Sequence, residues 1–236
     1  MKSSTEIIRG LKGGLLVSCQ EPKTSPLNHP QIIAALAKAA EICGAVGVRI
    51  EGTKNIRAVC SSVKLPVVGI EKLGRGIRPV YITPTLASAR RVARAGATIV
   101  ALDCTARQRP GNESIEAIIG DLKRKSQALV MADVSTVEEG IAAAGMGADL
   151  VATTLYGYTG EDCDHRGPAF GLLRKLVRNV PVPIILEGRV HTPEDLRKGF
   201  DLGAHAVVVG TAITNIEWLV RTFIESTPRA KEDLRA

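Results

Sequence analysis

The feature that most constrains this chain is a repeat. Gly-Ala pairs stand at Gly44-Ala45, Gly96-Ala97, Gly147-Ala148 and Gly203-Ala204, spaced 52, 51 and 56 residues apart. The last three each follow a threonine by 11 residues: Thr85, Thr136 and Thr192. A threonine that can cap a helix start and a glycine that can end it bracket an amphipathic, Ala-rich segment, predicting helices over 85–95, 136–146 and 192–202. Glu139, three residues after Thr136, and Pro193 with Asp195 after Thr192 strengthen the starts by offering first-turn proline and acid.

Between the helical segments lie short apolar runs over 14–20, 45–50, 66–72, 98–103, 128–134, 150–154, 183–187 and 206–210. They are continuous rather than alternating, as strands buried on both faces of a parallel sheet require. Each period of the repeat therefore holds two βα units, and the Gly-Ala pairs mark the second, fourth, sixth and eighth strands. An open doubly wound sheet would carry a glycine-rich dinucleotide loop after its first strand. Here that strand ends Val17-Ser18-Cys19-Gln20. The expectation is a closed (β/α)8 TIM barrel of the phosphate-binding type, one domain over 1–236, with a short helix at about 5–11 plugging its bottom. Its 236 residues suit that fold, and with aromatics at 3% the core must be built of Ala, Val, Leu and Ile.

Chemistry in such a barrel sits at the carboxyl ends of the strands. Those ends carry Gln20, Arg49, Lys72, Asp103, Asp133, Thr153-Thr154, Glu187-Gly188-Arg189 and Gly210-Thr211. Bringing so many polar groups to one mouth is costly unless something charged binds among them. Phosphate has a predictable place, in the loops after strands seven and eight. There Gly188 and Gly210 permit close backbone approach, Thr211 offers a hydroxyl and an amide, and Arg189 offers a charged fork. Thr214 with Glu217 is expected to open a short helix facing the same anion.

Lys72 is the strongest candidate base because an apolar strand delivers it. Unperturbed, only about one lysine in 2500 is neutral at pH 7, and both burial and Arg49 would depress its pKa. Glu187, reaching in from across the barrel, suits acid/base work. His29, His165, His191 and His205 are scattered, so no metal site of two histidines and two acids is indicated. Cys19 and Cys104 near the mouth lack a basic partner in sequence and read as packing residues.

The formal charge of +7 is dispersed, without a basic run of five, and the scarcity of aromatics argues against an RNA platform, so nucleic acid is not an expected partner. No apolar stretch approaches the roughly 18 residues a membrane span needs. Five cysteines, odd in number and without a C-x-x-C pair, fit a reducing cytoplasm. Exposure of residues such as Trp218 and Phe223 would favour a homodimer.

Several segments carry a family resemblance when taken together. Gly14-Leu15-Leu16-Val17-Ser18-Cys19-Gln20, Gly47-Val48-Arg49, Val68-Gly69-Ile70-Glu71-Lys72, Tyr81-Ile82-Thr83-Pro84-Thr85, Met131-Ala132-Asp133, Thr154-Leu155-Tyr156-Gly157-Tyr158-Thr159, Leu186-Glu187-Gly188-Arg189 and Val209-Gly210-Thr211-Ala212-Ile213-Thr214 occur in this order. From about residue 10 to 225 the chain resembles the N-acetylmannosamine-6-phosphate 2-epimerases. The resemblance implies reversible conversion of N-acetylmannosamine 6-phosphate to N-acetylglucosamine 6-phosphate in sialic-acid catabolism, without a metal or organic cofactor. It implies that Lys72 transfers the C2 proton with Glu187 as partner, and that Gln20, Arg49 and Asp133 position the sugar, with Thr154 counted beside them. Gly188, Arg189, Gly210 and Thr211 would hold the phosphate. The loop over 73–78 departs from the aromatic and acidic pattern of the family. Against this stand another phosphosugar isomerase, a barrel enzyme forming a Schiff base through Lys72, and a phosphosugar-binding regulator without turnover.

Overall fold

The computed structural model describes residues 3–73, 80–159 and 167–229. Eight strands, β1 (Gly14–Cys19), β2 (Gly47–Glu51), β3 (Val67–Ile70), β4 (Ile99–Asp103), β5 (Leu129–Asp133), β6 (Leu150–Ala152), β7 (Ile184–Glu187) and β8 (Ala206–Val209), pair in sequence order. All pairings are parallel, and β8 returns to β1 with Ala206 opposite Gly14, closing the barrel. Helices α2 (Pro30–Ile42), α3 (Thr53–Cys60), α4 (Leu86–Arg94), α5 (Ile115–Lys125), α6 (Val137–Gly145), α7 (Phe170–Asn179) and α8 (Pro193–Asp201) alternate with the strands. After β8 come the short α9 (Thr211–Thr214) and then α10 (Ile216–Ile224), while α1 (Ser4–Leu11) precedes β1.

The repeat has a local physical cause at each end of its helices. Thr85, Thr136 and Thr192 are N-caps, each closing a reciprocal capping box with Ser88, Glu139 and Asp195. At the other end Gly147 and Gly203 adopt φ of 99° and 93°, the left-handed region where a side chain would be strained. The following alanine amide then reaches back five residues, Ala148 to Ala143 and Ala204 to Gly199, satisfying carbonyls the helix leaves open. That alanine turns under the helix and is buried before its strand begins.

Side-chain alternation divides the core in two. One cluster, with Val48, Val100, Leu102, Val130, Val151, Leu186 and Val207, lies between strands and helices. The other fills the barrel: Leu16, Val68, Ile70, Ile99, Ala101, Leu129, Met131, Leu150, Ala152, Ile185, Ala206 and Val208. Leu11, fully buried at the end of α1, joins this inner cluster with Ile7 and Ile8 beside it, so the amino end is closed by an apolar plug. His205 Nε2 donates to the Ile8 carbonyl at 2.8 Å and holds α1 against β8.

Candidate active site

Inward-pointing positions recur every second residue along a strand. Extending the inner series toward the carboxyl end leads from Leu16 to Ser18 and Gln20, from Ile70 to Lys72, from Ala101 to Asp103, from Met131 to Asp133, from Ala152 to Thr154, from Ile185 to Glu187 and from Val208 to Gly210. The alternation that fills the barrel with aliphatics thus delivers the polar residues to its mouth. A cavity of about 320 Å³ opens there. Gln20, Arg49, Lys72, Thr154, Glu187, Gly188, Arg189, Gly210 and Thr211, all expected at the site, line it. Asp133 does not line it and lies beneath, fully buried.

Arg49 organises the floor. Its guanidinium, 1% exposed, donates to Asp133 through Nη1 at 3.1 Å and Nη2 at 2.6 Å, and to Glu187 through Nη1 at 2.8 Å. Thr154 adds its hydroxyl to Asp133 Oδ1 at 2.6 Å. Asp133 therefore anchors two cavity-lining side chains from opposite strands. Burial pushes the Glu187 carboxyl up to about 7, with Arg49 pulling against it and Asp133 adding to it. Thr153 fixes the end of β7: its hydroxyl donates to the Glu187 carbonyl at 2.9 Å and accepts the Glu187 amide at 3.0 Å.

Lys72 lies two residues past the end of β3 and is placed by a different device. Residues 71–73 pair antiparallel with 81–83, through a Lys72–Ile82 bridge, Leu73 N–H to the Tyr81 carbonyl at 3.0 Å and Thr83 N–H to the Glu71 carbonyl at 2.8 Å. The Lys72 amide donates to Glu51 Oε1 at 3.3 Å. Thr83, fully buried, takes a left-handed φ of 47°, and its hydroxyl oxygen accepts the Glu71 amide at 3.2 Å. A non-glycine residue in that region is held only where its surroundings over-determine it. Burial, then the nearby Arg49 charge, lowers the Lys72 pKa from the usual ammonium value.

The loops after β7 and β8 present backbone. Gly188 has φ of 106°, and Arg189 follows at 56°. Gly210 is glycine for another reason: a Cβ there would stand 3.1 Å from Ser18 Cβ. Gly210 caps α9, whose first amides, at Thr211 and Ala212, have no intrahelical carbonyl to bond. The Arg189 guanidinium donates to the Tyr156 carbonyl at 2.9 Å and lies 4.2 Å from the Tyr158 ring centroid, so the loop after β6 braces it at the cavity edge.

Two expectations need correction. Thr214 does not open the next helix: its hydroxyl donates to the Ser18 carbonyl at 2.8 Å, and Asn215 caps α10 by accepting the Trp218 amide at 2.9 Å. Trp218 is not an exposed surface ring but half-buried, its centroid 5.1 Å from that of His191. Ser18, Tyr81, Tyr158, His191 and Asn215 also line the cavity and were not singled out as site residues in the sequence. Tyr81, whose phenol is held protonated chiefly by burial, had the signal of an aromatic and β-branched stretch, Tyr81-Ile82-Thr83, directly before a helix cap. Asp103 is buried under Arg107 and Thr105 rather than facing the cavity. Cys19 and Cys104 are buried with thiol pKa values raised by burial, which suits packing. Gly74 to Arg78, Cys163 and His165 lie outside the described residues.

Comparison with known proteins bears on what this geometry serves. The model of a family described as "Putative N-acetylmannosamine-6-phosphate epimerase" matches residues 33–229. A relative from Cutibacterium acnes, named "Putative N-acetylmannosamine-6-phosphate 2-epimerase", is 49% identical over 89% of this chain and 91% of its own. One from Caldanaerobacter subterraneus with the same name is 47% identical over 93% of each. The solved structure of the N-acetylmannosamine-6-phosphate 2-epimerase from Clostridium perfringens matches with a TM-score of 0.90 at 37% identity, covering 96% of this chain and 99% of that one. A thiamine phosphate pyrophosphorylase from Pyrococcus furiosus, at 17% identity and a TM-score of 0.59, shares the fold alone. A family match over 33–229, joined to relatives aligned nearly end to end, means that this chain belongs to the N-acetylmannosamine-6-phosphate 2-epimerase family.

Proposed function

We propose that the chain interconverts N-acetylmannosamine 6-phosphate and N-acetylglucosamine 6-phosphate by moving the C2 proton of the ring-opened sugar. The observation that carries this reading is that Lys72 and Glu187 line one cavity from β3 and β7, which stand four strands apart in a ring of eight. Inverting a carbon requires a proton to leave one face and return to the other, and side chains on opposite walls supply the two faces. Their proton affinities are displaced toward each other, Lys72 down and Glu187 up to about 7. Glu187 is then in the range where a group both gives and takes protons at neutral pH, and the shift at Lys72 runs toward the neutral amine a base requires.

In a closed pyranose the C2 proton is not acidic. Ring opening puts an aldehyde at C1, and loss of the C2 proton then gives an enolate. Neutral Lys72 takes that proton, and protonated Glu187 returns one to the opposite face. The fixed charge of Arg49 lowers the energy of the negative oxygen that develops between them. Asp133 acts through Arg49 and Thr154, Gln20 contacts sugar hydroxyls, and Gly188, Gly210 and Thr211 bind phosphate by backbone and hydroxyl, with Arg189 adding charge from the edge. The pair ends a turnover with Lys72 protonated and Glu187 ionised, and solvent resets both.

Proton NMR of N-acetylmannosamine 6-phosphate with the protein in heavy water tests this. The expected result is N-acetylglucosamine 6-phosphate carrying deuterium at C2. Product without deuterium would sink the proton-transfer mechanism, and no product would sink the reaction. Borohydride trapping of a sugar on Lys72 would favour the Schiff-base reading instead.

The reading extends to assembly and place. The outer face of α10 exposes Ile216, Val220, Phe223 and Ile224 at helical spacing, which suits a contact between two copies of the chain. Light scattering of purified protein should return twice the monomer mass. Cys19, Cys43, Cys60 and Cys104 are free thiols, in keeping with a reducing cytoplasm. Among the described residues no helix is long and apolar enough to cross a membrane.

A further inference from the structure

A second chamber of about 260 Å³ adjoins the main cavity, sharing Gln20, Lys72 and Asn215 with it. Its other walls include Glu21 and Glu51. Glu21 is 7% exposed, yet neither of its carboxylate oxygens meets a hydrogen-bond donor among the described residues. Ser25 is close enough to ease the charge without reaching hydrogen-bonding geometry. Gln20 is in a similar state: its Nε2 donates to Ser18 Oγ at 2.7 Å, while its buried Oε1 meets no donor among the described residues. A buried acceptor without a donor is costly, by enough to be found where a ligand supplies the missing hydrogen. Three such oxygens around one chamber call for a ligand group that donates.

The following step rests on the epimerase reading. Lys72 acts at C2, so a chamber sharing Lys72 receives a substituent of C2. The phosphate, at the far end of the sugar, goes to the loops after β7 and β8, whereas Glu51 ends β2 and Glu21 and Lys72 follow β1 and β3. The C2 substituent bulky enough to enter is the acylamino group. At roughly 30 Å³ for each water-sized group, the chamber takes several heavy atoms more than an acetyl provides. An acetyl methyl also offers nothing to Glu21.

We propose that this chamber is an acyl subsite in which Glu21 and Gln20 Oε1 select 2-acylamino sugar phosphates whose acyl group carries a hydroxyl donor. The N–H of the acylamino group meets one acceptor, and an acyl hydroxyl meets Glu21. Sites built to bond a substrate hydroxyl discriminate against the analogue that lacks it, because their own polar groups are otherwise left unpaired.

The test compares kcat/KM for three mannosamine 6-phosphates, the N-acetyl, N-propanoyl and N-hydroxyacetyl derivatives. The last two have almost the same size and differ in a terminal methyl against a hydroxyl. The expected result is a preference for hydroxyacetyl over propanoyl on the order of tenfold. Glu21→Leu should abolish the preference, and Glu21→Gln, which keeps an acceptor, should retain part of it. Equal rates for the two long acyl groups in the unmodified protein would overturn the subsite while N-acetyl turnover left the epimerase reading standing. No turnover of any of the three would overturn both. The comparison of substrates needs no variant, so a misfolded Glu21 substitution does not remove the test.

Discussion

At its amino end the barrel is closed by Leu11, Leu16, Leu129 and Leu150, none more than 2% exposed. Toward its carboxyl end the inward positions on the strands and just past them hold Ser18, Asp133, Thr154 and Glu187. The inner cluster at the amino end is aliphatic side chains packed against one another. The carboxyl end collects buried charge, three left-handed non-glycine residues at Thr83, Asn112 and Arg189, and polar atoms on Gln20, Glu21 and Arg49 that have no partner among the described residues. A buried ion pair is weak evidence for stability, since desolvation offsets most of its attraction. The contrast teaches that stability and chemistry are separated along the barrel axis, so substitutions at the two ends should fail in different assays.

The sharpest test of that separation is Lys72→Ala. Loss of a general base costs about 100- to 10,000-fold in rate, so C2 deuterium exchange should fall by that factor while the melting temperature stays near that of the parent protein. Lys72→Arg should not rescue it, because a guanidinium stays protonated at neutral pH. Exchange above a tenth of the parent rate would remove Lys72 as the base.

Leu11→Ala probes the opposite end. Truncating a fully buried leucine costs about 2–5 kcal/mol, read as a lower urea midpoint. At temperatures where the variant is folded its kcat/KM should be unchanged. A parallel loss of kcat/KM would mean that the plug and the mouth are coupled and the contrast is false.

Glu187→Gln sharpens the cost of the site itself. The Glu187 pKa is raised from 4.5 to about 7, so the folded state binds its proton more tightly than the unfolded state does. Its favourable contribution is whole below pH 4.5 and is lost as pH rises through 7, amounting to about 3 kcal/mol. The glutamine variant does not titrate. Relative to the parent it should therefore gain stability of that order between pH 4.5 and pH 8, in denaturant titrations at several pH values. A parallel pair of curves would refute the raised pKa.

The smallest effect belongs to the frame between the ends. Thr136→Ala removes an N-cap and should cost about 1 kcal/mol without touching the rate, and the matching substitutions at Thr85 and Thr192 should behave alike. A much larger loss at one of the three would show that the repeated modules are not equivalent.

The frame was legible in the sequence because its signals are local. Cap, helix and terminal glycine lie within a dozen residues of each other, and the strand ends follow from the alternation of side chains. Nine of the ten expected site residues reach the cavity for the same reason. What was not legible depends on contacts between distant strands. Thr214 and Asn215 both look like caps, and the choice was made by the Ser18 carbonyl, 196 residues away in sequence, which takes the threonine hydroxyl. Asp133 looked like a sugar contact but is covered by Arg49 from β2 and Thr154 from β6. Tyr81 reaches the cavity through an antiparallel pairing with 71–73 that no parallel-barrel pattern predicts.

The sharing of Arg49 between Asp133 and Glu187 has a consequence for how the chain folds. The cation is on β2 and its counter-charges are on β5 and β7, so no contiguous half of the chain contains the whole set. A collapsed fragment built from the first four strands would bury Arg49 without either acid, and one built from the last four would bury both acids without the arginine. Each carries an uncompensated charge that water must keep solvated. The site thus penalises half-barrels as folding intermediates and makes ring closure the step at which the charges first become cheap to bury. A chain divided between β4 and β5 would be expected to yield two poorly structured pieces that acquire order, and activity, on mixing.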